Sequence, residues 1–570
     1  MEKILSINSG SSSLKFKLFA MPDEKVLAKG LFDRIGIDNS RVTIKYDGKK
    51  YDEQRELKDH NQAVHVLLSL FKELKLINDF NEITGVGHRV VAGGEYFDKS
   101  VIVDEDVMNK IDELAEYAPL HNPAELVGIR VFKELLPNAV SVAVFDTAYH
   151  QTMPKTNYMY SIPYEWYEKY HVRKYGAHGT SHRYVAHEAA KLLDKPFEDL
   201  KIITCHLGAG ASICATMNGK SFDTSMGFTP LAGITMATRA GDIDASLVSF
   251  MMEKLQINSS EMIDILNHKA GLIGISGVSS DMRDVLAAAD DNERAQLAVD
   301  IFVKNVVKYI GSYIAEMGGV DTIVFTAGIG ENSTPIRKLV MERLAYLGIT
   351  IDEEENSKHG SAGVISGEDS TIKVLRIPTN EELMIARDVQ KLEKEVKYIL
   401  NQMYLQQVQF KFDFQINDFN DNGIDNVKIV VSTNSGQPLQ PLQKIASGGE
   451  LSRIMLAIKA VSQNSKDGGT IIFDEADTGV SGKVAESIGH VMKKISKKQQ
   501  VICITHLAQV ACFANNHLFI EKEQMDNTSK VHVRLLNEKE SVYELAKMIS
   551  GKEITQQSID HAKKLKEISV

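Results

Sequence analysis

Short polar clusters recur along this chain, each following an apolar run. They are GHRVVAGG at 87–94, PLHNP at 119–123, VFDTAYH at 144–150, KYGAHGTSH at 174–182, FTPLAGITMATRAGDID at 228–244, FTAGIGEN at 325–332 and PTNEEL at 378–383. Taken singly, each has a structural explanation. An arginine after a strand is usually a solvated charge, and a lone histidine is more often satisfied structurally than catalytic. Together they include two arginines, at least two histidines free to act, an aspartate after a strand, a late glutamate and glycine-rich turns able to hold phosphate, which is the inventory for phosphoryl transfer to an anionic acceptor.

Those clusters need a frame, and two stretches provide one. Residues 201–217, KIITCHLGAGASICATM, read as a strand, a tight glycine-rich loop and a returning strand. Residues 4–19, ILSINSGSSSLKFKLF, repeat the device with a small polar turn at 8–13. One such hairpin would be unremarked, but two copies about two hundred residues apart predict a duplicated fold. Without bulky Cβ substituents, their turns let backbone N–H groups and hydroxyls close on phosphate oxygens from two sides. Around them the pattern is α/β: strands at 3–7, 15–19, 83–91 and 140–145 with helices at 62–74 and 104–116, then helices at 245–255, 261–268 and 293–317 before a strand at 322–326. Strand ends in such folds carry the ligands. A charged helix at 387–400 carries the chain out of this part, with the junction at 390–400.

At 570 residues the chain is too long for one core, and ~150 residues per domain predicts three or four. A hydrophobic content of 43% with 25% charged residues is that of a soluble globular protein. No run of eighteen apolar residues occurs, and MEKILSINSG lacks the apolar core of a signal peptide, so the expected location is cytoplasmic, away from membranes. Cys205, Cys214, Cys503 and Cys512 sit in apolar runs without metal-ligand spacing and read as buried thiols. Charge is unevenly shared: the first 396 residues hold 44 basic and 57 acidic side chains, the remainder 21 and 19. The second part is thus not the strongly basic surface that would itself argue for nucleic acid.

The motifs INSGSSSLK, GHRVV, FDTAYH, HGTSH, TRAGDID, FTAGIGEN and TNEEL in this order make the first 390 or so residues resemble the acetate kinases. The resemblance implies the duplicated acetate and sugar kinase/Hsp70/actin (ribonuclease H-like) two-lobe α/β fold, with lobes at 1–150 and 151–395 and ATP in the cleft. It also implies a homodimer and the reaction of ATP with acetate to give ADP and acetyl phosphate. A carboxylate and a triphosphate repel each other, so Arg89 and Arg239 are suited to hold the carboxylate and the moving phosphoryl group bidentately. Acetate is already a nucleophile and needs no strong base. His178, with His121, would donate hydrogen bonds to the phosphoryl oxygens in transit. Asp146 would position the acceptor and the metal shell, and Asn8 and Glu381 match the family's Mg²⁺ positions, where Mn²⁺ could substitute. Lys15, His206, Leu207, Gly208, Ala209, Gly210, Asp281, Met282, Arg283, Gly328, Ile329, Gly330, Glu331 and Asn332 match its ATP-binding positions. Val91, Leu120 and Pro230 match the pocket for the acetate methyl. Two positions depart from the usual pattern. Ala177 replaces a Phe, which would widen the wall of the acyl pocket; one or two extra methylenes are worth only ~1–3 kcal/mol there, so propionate should be a better substrate than usual while acetate remains the expected one. Ala209 replaces an Asn in a phosphate loop, which would weaken an ATP contact.

In the second part, 396–570, SGGELSR at 447–453 precedes an amphipathic helix, so that Ser447, Gly448 and Gly449 would offer N–H groups to a γ-phosphate. TIIFDE at 470–475 ends in Asp474, suited to Mg²⁺, and Glu475, suited to orient water. ITH at 504–506 places His506 after the next strand. Strands are predicted at 407–417 and 427–433, buried strands at 470–473 and 501–505, and helices at 450–462 and 542–550. With FDEADTGVSG, ITHLAQVA and KMISG, this part resembles the C-terminal half of the ABC/SMC-type ATPase head of the bacterial recombination and repair protein N. A G-x-x-x-x-G-K-[ST] loop occurs nowhere in the chain, and the nearest string, MNGKS at 217–221, lacks the first glycine. Half a site is therefore expected, without ATP hydrolysis of its own and with nucleic-acid binding disfavoured. Two rival readings remain: a repair ATPase with the kinase part as passenger, and an artefactual join of two genes.

Overall fold

The apolar residues of the first hairpin alternate with lysines, Leu14, Phe16 and Leu18 turning inward while Lys15 and Lys17 point away, which is the period of a half-buried strand. A computed structural model of the chain describes residues 2–570 except 119–120, 404–408, 421–422, 433–439, 442–452, 454–455, 458, 462–469, 475, 479, 481, 498, 526–527, 552 and 569–570. The first lobe holds β1 (Glu2–Ser9), β2 (Ser13–Met21), β3 (Lys25–Asp33), β4 (Arg41–Tyr46), β5 (Lys49–Gln54), β6 (Ile83–Val90), β7 (Val101–Ile102) and β8 (Val140–Phe145). They form one sheet in the order β5-β4-β3-β2-β1-β6-β8-β7. The second lobe holds β9 (Lys201–Leu207), β10 (Ala211–Met217), β11 (Lys220–Thr224), β12 (Thr322–Thr326), β13 (Gly363–Val364) and β14 (Lys373–Arg376), ordered β11-β10-β9-β12-β14-β13.

The duplication expected from the two hairpins is present in the connectivity. In each lobe an antiparallel hairpin, β1–β2 or β9–β10, is extended antiparallel on one side by β3 or β11. On the other side it continues with parallel strands, β6 then β8, or β12 then β14. Ligand-bearing turns at the carboxyl ends of β1, β6 and β8 thus have counterparts at the ends of β9 and β12. MNGKS is the turn of the β10–β11 hairpin, with Asn218 and Gly219 at positive φ and Met217 opposite Lys220, which is hairpin chemistry and not a phosphate loop.

The helix Glu381–Gln402 starts earlier than the sequence predicted and does not simply lead outward. Asn380 caps it through the Leu383 N–H, and its first half lies against the first lobe's sheet with Leu383, Ile385, Ala386 and Val389 buried beside Ile4, Phe19, Val142 and Val144. It approaches so closely that a Cβ on Gly85 would collide with Val389 Cγ1, and one on Gly87 with Ile385 Cγ2. Arg387 binds Glu24 of the first lobe and Glu188 of the second. Its second half, Leu392, Val396, Ile399 and Leu400, shares a core with Phe473, Ile488, Val491 and Ile495.

Beyond it, Gln409–Asn420, Gly423–Ser432 and Gln440–Pro441 form an antiparallel sheet, and Thr470–Asp474 pairs parallel with Gln500–Ile504 across the helix Lys483–Ser496. A hairpin, Leu518–Met525 with Thr528–Leu535, and helices Glu538–Ser550 and Gln556–Ile568 follow. Of the helix predicted at 450–462, the described residues 453, 456, 457 and 459–461 are helical. The two strands expected to be buried are covered on one face only. Phe473 faces the helix and is buried, whereas Ile472, Ile502 and Ile504 are 64%, 40% and 47% exposed. Cys503, on the second of them, is correspondingly half-buried, unlike Cys205, Cys214 and Cys512.

Candidate active site

Arg89 and Asp146 come from neighbouring parallel strands. The register sets Arg89 beside Val144, the Asp146 N–H bonds the Val90 carbonyl, and Asn8 follows Ile7, the partner of His88, at the end of β1. Arg89 Nη2 donates to Asp146 Oδ2 at 2.6 Å, and Arg89 Nε lies 3.9 Å from Glu381 Oε2 at the start of the long helix. Burial works against the guanidinium's charge, but Asp146 and Glu381 override it and hold Arg89 protonated. Glu381 is pushed up to about 7 by burial, with Arg89 opposing the rise and Asp146 adding to it.

His178 reaches the same place from the second lobe. It caps the helix Gly179–Leu192 in a left-handed conformation, φ 57° and ψ 19°, and the next N–H, of Gly179, bonds the Asp146 carbonyl at 2.9 Å. A side chain at position 179 would collide with that carbonyl, so only glycine lets the two backbones meet. Such a left-handed histidine is held by its surroundings, as at functional sites. Its ring stacks on His206 with centroids 4.1 Å apart. A Cβ on Gly210 would lie 3.4 Å from His178 Nε2 and 3.7 Å from Arg239 Nη1, so the histidine edge and the second guanidinium converge over the β9–β10 turn. Arg239 has no carboxylate partner among the described residues. Its Nη1 donates to the Pro230 carbonyl at 3.3 Å, and burial alone lowers its pKa. Burial, followed by the charges of His206, His182, Arg89 and Arg239, drives His178 well below the ordinary imidazole value, so it is neutral. His121, at the start of the helix Asn122–Leu135, is lowered by desolvation and then by Arg89 and Arg239, which places it in the same field.

The expected phosphate positions divide. Leu207 pairs with Ala211 across a turn closed by Gly208 N–H to Gly210 O at 3.2 Å, and the Ala209 carbonyl accepts the Ala237 N–H. His206 lies behind His178, bonded through Nδ1 to Ser181 and lowered to about 3 by burial. Residues 328–332 form the short helix Ala327–Asn332 at the end of β12, where a Cβ on Gly328 would meet open space. Ile329 packs against the second lobe's core, and Arg337 anchors the turn through the carbonyls of Gly330 and Glu331. The Glu331 carboxylate accepts the N–H groups of Ala327 and Thr379, and Asn332 Nδ2 donates to Gly328 O, so both side chains brace this turn. Lys15 stands opposite Asn8 on β2 and bears on Glu381 electrostatically. Asp281 and Arg283 pair with each other on the surface at the start of Met282–Ala288, and Met282 is buried in the core. No hydrogen bond or ion pair ties them to the Arg89 cluster among the described residues.

Val91 follows Arg89 by two residues, just past the end of β6, and Pro230 meets Arg239 through its carbonyl, while Leu120 lies outside the described residues. Ala177 is buried in the second lobe's core and its carbonyl accepts from His150 Nε2, so its methyl is core and not a free pocket wall. In the second part, Ser447, Gly448, Gly449 and Glu475 also lie outside the described residues. Asp474 is exposed at its strand end, and His506 Nδ1 stands 3.8 Å from Asp477.

Carboxylates from Asp146 and Glu381 with the Asn8 amide offer hard oxygen donors, and the raised pKa of Glu381 is what a nearby cation would relieve. Among the described residues no group of three or more His, Cys, Asp or Glu side chains forms a ready-made cage. That combination suits Mg²⁺, which keeps waters and takes substrate phosphates with one or two carboxylates. Glu125 was not anticipated: it is buried, accepts the Val91 N–H at 3.0 Å and is pushed up to about 8 by burial. A lone charge in the apolar stripe Leu126, Ile129, Phe132 was its signal in the sequence.

The profile of the Acetokinase family matches residues 3–387. The chain is 59% identical over 397 residues to the acetate kinase of Limosilactobacillus fermentum, spanning 69% of this chain and all of that protein. Among solved structures it is similar to Porphyromonas gingivalis acetate kinase, at 42% identity and a TM-score of 0.66 over 69% of this chain and 99% of that one. It is also similar to a propionate kinase from Francisella tularensis, at 43% identity and a TM-score of 0.65 over 69% of this chain and the whole of that one.

Proposed function

Because this chain belongs to the Acetokinase family over residues 3–387, we propose that it is an acetate kinase, transferring the γ-phosphoryl group of ATP reversibly to acetate. The observation that carries this reading is the meeting of two guanidinium groups, one paired with a carboxylate through Nε and Nη2 and one without any, with a neutral histidine between the strand ends of two lobes. An acetate oxygen attacks phosphorus, the new O–P bond forms as the bond to the ADP oxygen breaks, and ADP departs with the electron pair. Arg239, lacking a protein carboxylate, takes the substrate's negative charge, and Arg89 holds the acceptor beside Val91. His178 and His121 donate to the equatorial oxygens, where charge spreads in the loose transition state. Asp146 fixes the Arg89 fork. Mg²⁺ held by Asn8 and Glu381 would supply charge neutralisation on the phosphates. ATP lies along the turns 206–210 and 328–332, whose glycines leave room for backbone approach.

The helix Ala245–Leu255 supports a homodimer: none of its residues is buried, and Leu247, Phe250 and Leu255 are 42%, 54% and 49% exposed. Among the described residues no helix is long and apolar enough to cross a membrane, and we place the protein in the cytoplasm. The second part we read as the C-terminal half of a repair-type ATPase head without its phosphate loop, inactive alone. ATPase turnover that Glu475→Gln abolishes would contradict that. The purified full chain, given ATP, Mg²⁺ and acetate, is expected to yield acyl hydroxamate with hydroxylamine, with acetate preferred over propionate. No product from acetate refutes the reading.

A further inference from the structure

Behind His178 runs a chain of side chains whose own chemistry is not that of substrate binding. His178 Nδ1 lies 2.9 Å from Ser212 Oγ, the same hydroxyl lies 2.8 Å from His182 Nε2, and His182 Nδ1 lies 2.6 Å from Thr204 Oγ1. Ser212, His182 and Thr204 are wholly buried, so water cannot substitute for any partner. We propose that Ser212 and His182 are positioning residues that hold His178 as the neutral tautomer carrying its proton on Nε2, a donor aimed at the transferring phosphoryl group. The proposal rests on the acetate kinase reading for what His178 does, and on the hydrogen-bond chain for its tautomer.

The serine hydroxyl has one proton and sits between two ring nitrogens; were both to donate to it, its own buried proton would meet no acceptor among the described residues, so it donates to one and accepts from the other. Two arrangements follow. In the first, His178 Nδ1–H donates to Ser212, Ser212 donates to His182 Nε2, and His182 Nδ1–H donates to Thr204. The Thr204 hydroxyl proton is then left with the Cys214 carbonyl, 3.5 Å away. In the second, Thr204 donates to His182 Nδ1, His182 Nε2–H donates to Ser212, and Ser212 donates to His178 Nδ1. The three protons inside the chain then span 2.6 to 2.9 Å, and the fourth, on Nε2 of the only half-buried His178, points out of the chain, whereas the first arrangement strains the donor of the wholly buried Thr204. In a buried polar chain the long contact decides, because a poorly made bond to a buried donor costs most of that donor's desolvation. The second arrangement leaves His178 with its proton on Nε2. That is the atom 3.4 Å from the position of a Gly210 Cβ, on the side where Arg239 converges.

The ring cannot escape by taking a second proton, since burial and the adjacent positive groups hold both His178 and His182 neutral. It cannot swing freely either, being stacked on His206, whose own Nδ1 is engaged by Ser181. Orientation and proton position are thus fixed before substrate arrives, which removes a reorganisation step from the transfer.

The test reads the tautomer directly. The full-length chain with ¹⁵N-labelled histidine gives imidazole nitrogen resonances that distinguish Nδ1–H, Nε2–H and doubly protonated rings, and His178→Gln identifies the signal by its loss. The expected result, without substrate at pH 7, is a neutral His178 protonated on Nε2. In Ser212→Ala the Nδ1–H form should gain population, kcat should fall about 10-fold or more, and KM for ATP and acetate should stay within about 3-fold, on the scale of losing a transition-state donor. A wild-type His178 protonated on Nδ1 overturns the proposal, whether or not Ser212→Ala folds. So does a fall in kcat in Ser212→Ala with an unchanged tautomer, which would make the serine merely structural, or a kcat within about 2-fold of wild type. Wild-type protein with the expected tautomer but no acetyl phosphate formation would instead remove the functional reading while leaving the hydrogen-bond chain standing.

Discussion

Replacing Arg239 by alanine should separate catalysis from stability more cleanly than any other change at the site. Arg239 contributes a long hydrogen bond to the Pro230 carbonyl and a weak contact to the Met236 sulfur, and meets no carboxylate among the described residues. A single neutral-acceptor bond contributes about 0.5–1.5 kcal/mol, and 1 kcal/mol corresponds to roughly 2–4 °C for a lobe of this size, so the midpoint of thermal unfolding should move by only a few degrees. In the transition state the same guanidinium makes charge-assisted bonds of about 1.5–3 kcal/mol each. Losing a pair of them, at 1.36 kcal/mol per decade, predicts a fall in kcat on the order of 10²–10⁴. Arg89→Ala provides the contrast. It leaves Asp146, 1% exposed, with its charge uncompensated, and breaking a buried pair costs about 3–5 kcal/mol, so that variant should lose stability as well as turnover. Hydroxamate formation from ATP and acetate measures the first quantity, and differential scanning fluorimetry the second. An Arg239→Ala enzyme turning over near the wild-type rate, or one destabilised more than Arg89→Ala, would refute the assignment of an unpaired anion-binding guanidinium.

Further tests address the surroundings. Gly210→Ala puts a methyl at ordinary contact distance from His178 and Arg239, so it should spare the fold but cut kcat/KM by about 10-fold by filling the space for phosphoryl oxygens; unchanged kinetics would mean that space is unused. Glu125, pushed up to about 8, holds a proton when folded that the unfolded chain has already released. Its stabilising contribution is therefore complete below pH ~4.5 and is lost as pH rises through ~8. Glu125→Gln should accordingly gain on wild type in thermal midpoint between pH 6 and 9, and a constant difference would disprove the neutral buried carboxyl. Ile488→Ala, in the core shared with the long helix, should cost about 2–5 kcal/mol in the unfolding of the second part while leaving turnover within 2-fold. A kinase inactivated by it would show that the two parts act as one.

Much of the frame could be read from residue patterns because the signals there are strong. The hairpins at 4–19 and 201–217, the strand 140–145 and the helix 293–317 all combine clear periodicity with glycine or polar stops. The meander β3–β5 is less legible: Arg41–Tyr46 does alternate, with Val42 and Ile44 inward, but over six residues only, and its partner Lys49–Gln54 is almost wholly polar, so no second apolar set marks a hairpin. The helix Asn122–Leu135 was hidden for another reason: its start, PLHNP, reads as a chemical cluster, although Pro123 at the first turn is itself a helix-start signal. At the site, side chains that act on ligand sit in conspicuous clusters, whereas those acting on other side chains do not. Ser212 lies in an otherwise apolar-looking strand, and only the polar alternation Ser212, Cys214, Thr216 hinted at a buried polar face. The exposed Ile472 and Ile502 show the converse limit, since an apolar run predicts a need for cover but cannot supply the covering element.

Gly85 and Gly87 give the strand β6 a second task besides delivering Arg89. By lacking methyl groups on the side facing Val389 and Ile385, they set the depth to which the helix beginning at Glu381 can sink onto the sheet. One five-residue stretch, Gly85 to Arg89, thereby determines both ends of a measured gap: it carries the cation outright and, through two absent carbons, gauges how near the anion may come. A bulkier residue at either glycine would act as a shim under the far end of a rod, lifting Glu381 away from its partner without touching either charged group.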